Sequence, residues 1–350
     1  MSLDLELAAS FFHSWERRLA AASTDRVVRP FEWGLEWLND DWSDQDWAGE
    51  ERSPSLVAHL ERWADEAVAS SERFYALPPT TDFDLEGEWL SYPSAITTPH
   101  ASNNIVRARY FPETSAAGRR RAVIVLPQWN SDAEGHVGLC RLINRFKISA
   151  LRLSLPYHDA RMPPELRRAD YIVSANLGRT AQVCRQAVLD ARRGIAWLAS
   201  QGYESIGILG TSLGSCLAML TAAHEPLVRA AALNHISPYF ADVVWSGLST
   251  DHVRRGLEGH IELDRLRRIW MPISPFPYLD RVRGRRVLLI YARYDLTFPV
   301  HLSRMLVSEF RRKGIDHELV VLPCGHYSTG VTPFKWLDGL TLCRFLARSL

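Results

Sequence analysis

Disulfide chemistry is the first thing this chain lacks. Its five cysteines (Cys140, Cys184, Cys216, Cys324 and Cys343) are odd in number, widely spaced and include no CxxC pair. That argues against a disulfide framework or a zinc site and leaves reduced, mostly buried thiols as the expectation. Charge of one sign is missing too. The 41 Lys and Arg face 40 Asp and Glu, for a formal charge of +1 with the signs interspersed, so no field is built for nucleic acid or an anionic membrane. No run approaches the roughly eighteen apolar residues of a membrane-spanning helix. The opening "MSLDLELAASFFHSWERRLAAAS" places Asp4 and Glu6 where a secretory signal has a basic region followed by a long apolar one. The cytoplasm is the expected compartment and a small molecule the expected partner, with no nucleic acid and no membrane span; the oligomeric state is not readable.

What is present is material for a large core. At 350 residues the chain reads as one large α/β domain with an appendage. Six of the twelve tryptophans, Trp15, Trp33, Trp37, Trp42, Trp47 and Trp63, fall in its first part among helix-favouring Ala, Glu, Leu and Arg. "VAHLERWADEAVASSERFYAL" puts Val57, Leu60, Trp63, Ala64 and Ala67 on one helical stripe, and "LPPTTDFD" ends it. Residues 1–84 are therefore a Trp-rich helical segment, its tryptophans serving as packing or, alternatively, as a lid or interface. Residues 85–350 form the main domain.

In that domain "EGEWLSYPSAI" and "NIVRARYFP" read as antiparallel strands. The nearly all-apolar "RAVIVLP", "SALRLSLP", "SIGIL", "VRAAALNHI", "RRVLLIYA" and "HELVVLP" are of the buried parallel type, separated by helical patterns. The alternation predicts a mostly parallel sheet with helices on both faces. The stretch after the sixth strand, about 237–284, is too long for a plain crossover and is read as an insertion over the strand ends, where ligand pockets form.

The segment "SIGILGTSLGSCLAML" runs from strand to helix through Gly210-Thr211-Ser212-Leu213-Gly214, a GxSxG pattern. Small residues on both sides let a strained serine present its hydroxyl at the open end of a sheet. A serine hydroxyl is a weak nucleophile at neutral pH, so it needs a base and a group to orient that base. After "RRVLLIYARYD" the first carboxylate is Asp295, with Asp242 as the substitute; after "HELVVLPCGHYSTG" the first imidazole is His326. Donors for a developing oxyanion are the Leu213 N–H and one from the loop after "AVIVLP", either Gln128 or Trp129, although "PQWN" lacks the glycines common there and Trp129 could instead wall the acyl pocket. His158 and His235, at strand ends, and Arg161, beside Arg167 and Arg168, are the expected substrate-pocket residues; the arginines open the option of an anionic substrate.

Together "GTSLGS", "ARYDLTFP" and "PCGHYSTG" resemble the α/β-hydrolase superfamily, in the chain order serine, aspartate, histidine, over roughly residues 85–350. The segments around "LPQWNSDAEGHVGLCRLI" and "LPYHDARMPPELRRADYIVSANLGRT" resemble its dienelactone-hydrolase-like and acetyl-xylan-esterase-like members. Position 212 is serine where dienelactone hydrolases use cysteine. The resemblance implies an eight-stranded, mostly parallel sheet and a serine hydrolase acting on a carboxylic ester or thioester through an acyl-enzyme, with no metal and no cofactor. A catalytically inactive binding or regulatory protein, and an acyltransferase using the same triad, are the alternatives.

Overall fold

The computed structural model describes residues 2–38, 42–44, 55–114 and 119–350; of the six N-terminal tryptophans, Trp47 lies outside the described residues. Among the described residues nine strands form one sheet: β1 (Asp84–Glu86), β2 (Trp89–Pro93), β3 (Ile105–Phe111), β4 (Arg121–Leu126), β5 (Ser149–Leu153), β6 (Ser205–Thr211), β7 (Val228–Asn234), β8 (Arg286–Ala292) and β9 (Glu318–Leu322). Their order is β1-β2-β3-β5-β4-β6-β7-β8-β9. The first three strands and the β3–β5 pair are antiparallel, and every pair from β5 onward through β4 to β9 is parallel. The ninth strand arises because the first expected strand is a hairpin, with Gly87 at φ 61° in its turn. A left-handed conformation there suits a residue without Cβ.

The helices are α1 (Ser2–Ala21), α2 (Leu56–Ala69), α3 (Ser71–Phe74), α4 (Val137–Arg145), α5 (Leu177–Ser200), α6 (Leu213–His224), α7 (Phe240–Ser246), α8 (Asp251–Leu257), α9 (Leu263–Ile269), α10 (Val300–Arg312) and α11 (Phe334–Ser349). None is long and apolar enough to cross a membrane. Alternation along the parallel strands sorts the core into two layers, because successive side chains point to opposite faces. Val123, Val125, Leu209, Ala230, Ala232, Leu288 and Ile290 pack against Cys140 and Ile143 of α4 and Leu342, Phe345 and Leu346 of α11. Ala122, Ile124, Leu126, Ile208, Ala231, Leu233 and Leu289 face the other way, into the layer that holds α5 and α6.

The N-terminal helical stripe joins that second layer. Leu60, Trp63, Ala64 and Ala67 are fully buried with Trp42, Phe74 and Tyr75, and Tyr75 donates to the Pro272 carbonyl at 2.9 Å. The helix read as running to residue 77 stops at Ala69, and a single turn, α3, follows. All five cysteines are buried free thiols. The stretch between β7 and β8 folds as α7, α8, α9 and short 3₁₀ turns.

Candidate active site

β6 delivers Ser212 to the carboxyl edge of the sheet, and α6 begins at the next residue. Ser212 has φ 57° and ψ −121°, a conformation that costs a non-glycine residue about 1–3 kcal/mol and persists only where its surroundings enforce it. They do so by close approach. A Cβ on Gly210 would lie 2.0 Å from the Gly214 carbonyl oxygen, and one on Gly214 would lie 2.2 Å from that of Leu126. The Ser212 N–H donates to the Asn234 carbonyl at 2.8 Å, and Ser215 Oγ lies 2.7 Å from the Ser212 carbonyl.

His326 follows β9. Its Nε2 is 3.1 Å from Ser212 Oγ and its Nδ1 is 3.0 Å from Asp295 Oδ2. Asp295 follows β8 and is 3% exposed. Its Oδ1 accepts the N–H groups of Thr297 (2.8 Å) and Phe298 (2.7 Å), and the Phe298 ring stacks on His326 with 5.4 Å between centroids. Burial would raise the Asp295 carboxyl, but the charge of His326 and the hydrogen bonds from His235 and His326 outweigh it and hold the group well below the usual carboxylate range. Asp242, the substitute acid on α7, instead accepts hydrogen bonds from Arg267 at 2.8 and 2.9 Å.

Of the three residues expected in the substrate pocket, His158 and Arg161 line neither cavity at Ser212, while His235 borders the larger one. His158 is 1% exposed; its Nε2 accepts from the Asn130 N–H at 3.0 Å while Nδ1 lies 2.9 Å from the Pro156 carbonyl. Burial pushes it down to about 4, so the neutral ring pins the loop after β4 and does not reach substrate. Arg161 is completely buried. It pairs with Asp190 at 2.8 Å and donates to the carbonyls of Asn103 and Ser154, a structural ion pair rather than a pocket wall. His235 is also 1% exposed, yet its Nδ1 lies 2.9 Å from the same Asp295 Oδ2 that His326 uses. Its Nε2 is buried without a partner. His235, Asp295 and His326 bring ligand-type atoms within 4.8 Å of one another, and hydrogen bonding of both Nδ1 atoms to the carboxylate accounts for that cluster.

Two cavities meet at Ser212. The smaller, about 50 Å³, is apolar and is lined by Leu213, Cys216, Phe240, Val243, Val244 and Phe298 among others. The larger, about 500 Å³, is the more polar of the two and includes Gln128, His136, His235, His326, Arg26 and Arg168 in its wall. Trp129 lies between them and borders both; its Nε1 donates to the Ala169 carbonyl at 2.8 Å and its ring stacks on His252. Leu213 opens α6, so its N–H has no carbonyl one turn earlier to bond.

Glu16 is the residue that the sequence reading missed. From α1 its carboxylate accepts the N–H groups of Tyr327 (2.8 Å) and Ser328 (2.9 Å), immediately after His326, with no exposure to solvent. Its only sequence signal is an acid set in the aromatic run "FFHSWE".

Comparison with known proteins gives structural matches only: no protein-family model and no curated protein matches the sequence. An acetyl xylan esterase from Paenibacillus sp. superposes with a TM-score of 0.60 at 13% identity, over 83% of this chain and 94% of its own. Acetyl xylan esterase 1 from Thermoanaerobacterium sp. gives 0.57 at 15%, over 84% and 94%. The acylaminoacyl peptidase of Pyrococcus horikoshii gives 0.58 at 15% over 77% of this chain, which spans only 42% of the peptidase. At such identities the likeness is one of architecture. With its mostly parallel sheet, its serine at the β6–α6 junction and these neighbours, the chain has the α/β-hydrolase fold.

Proposed function

We propose that the protein is a serine hydrolase that cleaves a carboxylic ester or thioester of a short acyl group, with Ser212 as nucleophile, His326 as base then acid, and Asp295 as the group that orients it. The observation that carries this is the continuous relay from Ser212 Oγ through His326 to Asp295, at 3.1 and 3.0 Å, on a strained elbow. As Oγ bonds to the acyl carbon its proton passes to Nε2, and the carbonyl oxygen becomes an oxyanion. The N–H of Leu213 and one from Gln128 or Trp129 are assigned to stabilise that oxyanion, donors worth about 2.7–4 kcal/mol each in other hydrolases. The C–O or C–S bond then breaks as Nε2 returns the proton to the leaving group; water attacks the acyl-enzyme by the same route in reverse. Residues 1–84 are assigned an accessory role, since Glu16 holds the loop that carries His326.

A fluorophosphonate probe followed by intact-mass measurement tests the assignment. One adduct on the wild type and none on Ser212→Ala is expected. An unlabelled wild type would sink the hydrolase reading; a labelled Ser212→Ala protein would sink the nucleophile. Across p-nitrophenyl esters, kcat/KM should be highest for acetate to butyrate and fall at least tenfold by octanoate, because the apolar cavity is small. Asp295→Asn should lower kcat by about 10⁴, the size of effect seen when a triad acid is neutralised elsewhere, while Asp242→Asn leaves kcat within a few-fold.

A further inference from the structure

The two cavities differ in which of them His326 borders, and that difference gives the substrate a direction. The leaving group must lie where Nε2 can return a proton to it. His326 lines the larger cavity and is not among the residues of the smaller one, which holds Ser212 and Leu213 behind the Phe298 ring. The acyl group therefore belongs to the apolar cavity and the leaving group to the polar one.

The polar cavity carries an excess of positive charge. Arg26, Arg168 and Lys335 line it. Arg168 is 8% exposed and is matched by Asp25 at 2.8 Å, while its Nε lies 3.6 Å from Asp170 Oδ1. Arg26 donates to Tyr327 Oη at 3.0 Å and leaves its own Nε buried and unpartnered. Among the described residues no carboxylate pairs with Arg26 or with Lys335, whose ammonium lies 5.8 Å from the Trp336 ring. The acid in the same wall, Asp338, does not cancel them fully: burial pushes its carboxyl up to about 7 against the opposing hydrogen bond from Asn234. The Arg26 Nε–H, removed from water with no acceptor, is costly to leave so, and guanidinium and ammonium groups that line a cavity bind oxyanions in short, charge-assisted hydrogen bonds.

On the serine-hydrolase reading, on which this rests, we propose that the leaving group of the substrate bears an oxyanion, a carboxylate or a phosphate, held by Arg26 and Lys335 with Arg168 beside them. The site thus joins a short apolar acyl group to an anionic alcohol or thiol.

Three aryl acetates test this: methyl 3-acetoxybenzoate, which is neutral, 3-acetoxybenzoate, which carries a carboxylate, and 3-acetoxyphenyl phosphate. On the wild type at low ionic strength, kcat/KM for at least one anionic ester should exceed that for the neutral ester by about tenfold or more. Which of the two is favoured identifies the anion, and the ratio should shrink in 0.5 M salt, as screening requires. Arg26→Gln or Lys335→Gln should cut the ratio by about fivefold. The ratio is taken within one protein, so a partly misfolded variant does not mimic the effect, and Lys335 is exposed enough for its replacement to fold. Turnover of the neutral ester with an anionic ratio of one or less, or a ratio unchanged in both variants, overturns the anion assignment and leaves the hydrolase reading standing. No turnover of any ester overturns the hydrolase reading, and this inference with it.

Discussion

Asp295 sits among four donors: two backbone N–H groups on Oδ1 and two imidazoles on Oδ2. The two rings do different things. Burial, and then the charge of His326, lower the proton affinity of His235 despite the nearby carboxylate, so His235 stays a neutral Nδ1–H donor while His326 is the ring that faces serine. His235 is thus a positioning residue that fixes the rotation of the carboxylate. His235→Phe is expected to lower kcat about tenfold, or about 1.4 kcal/mol in the barrier, with little change in KM. His235→Asn, which keeps a short donor, should recover part of that loss. Equal falls in kcat for both variants, tracking a loss of folded protein in circular dichroism, would point to mere packing. Asp338 has the opposite sign from Asp295. Its folded carboxyl is raised to about 7 against about 3.9 unfolded, so the native state holds the extra proton between those values and stability falls as pH rises through that window. Asp338→Asn should therefore raise Tm at pH 8 and lose that advantage by pH 4, checked by thermal melts at both. Ser212, Asp295 and His326 could be picked from sequence because each follows an apolar strand in the expected order. The role of His235 could not, since only the β7–β8 register, with the His235 N–H on the Ile290 carbonyl, decides which side chain its ring meets.

At the scale of elements, the loop that carries His326 is held by a helix 311 positions away in sequence. α1 places Phe12 in a 4.6 Å stack on Tyr294, next to Asp295, and sets Glu16 under the turn after His326. The fit is tight: a Cβ on Gly325 would lie 2.3 Å from the Glu16 carboxyl carbon. Hydrogen bonds to a charged acceptor are worth about 1.5–3 kcal/mol each. Glu16→Ala should then lower Tm by several degrees and kcat by tenfold or more, while Glu16→Gln, which keeps one acceptor, falls between it and the wild type. Gly325→Ala should reproduce the kcat loss with residue 16 intact, because the added methyl expels the carboxylate. A Glu16→Ala protein with wild-type kcat would reduce α1 to packing. Nothing in the periodicity of α1 announces this, because a buried acid on an amphipathic helix is recognised only once its partners are known. The strands, by contrast, were legible from apolar runs alone. Their count differed by one because a three-residue edge strand has too little pattern to separate from its hairpin.

For the whole molecule, the decisive question is whether residues 1–84 are separable from residues 85–350. The composition shift suggests a boundary, but the packing runs across it. Trp63, with no exposure, lies in the same buried layer as Ile124, Ile208 and Leu217, and Arg268 of α9 reaches back to Asp65 on α2. α9 in turn anchors α7 through the Arg267–Asp242 pair, and α7 supplies Phe240, Val243 and Val244 to the apolar cavity at Ser212. We propose that the N-terminal segment buttresses the acyl wall through this α2–α9–α7 succession. Trp63 allows a clean test, since its Nε1–H is itself buried without a partner. Trp63→Ala removes a large buried ring and should cost about 3–5 kcal/mol, read as a lower urea midpoint. Trp63→Phe keeps most of the apolar volume and discards the unpartnered donor, so its cost should stay below about 1.5 kcal/mol. If the segment buttresses the acyl wall, Trp63→Ala should also blunt the preference for short over long p-nitrophenyl esters at temperatures where it is still folded, and Trp63→Phe should keep it. Equal urea midpoints for Trp63→Ala and the wild type would mean that residues 1–84 fold apart from the sheet, and the boundary read from composition would then be a physical one.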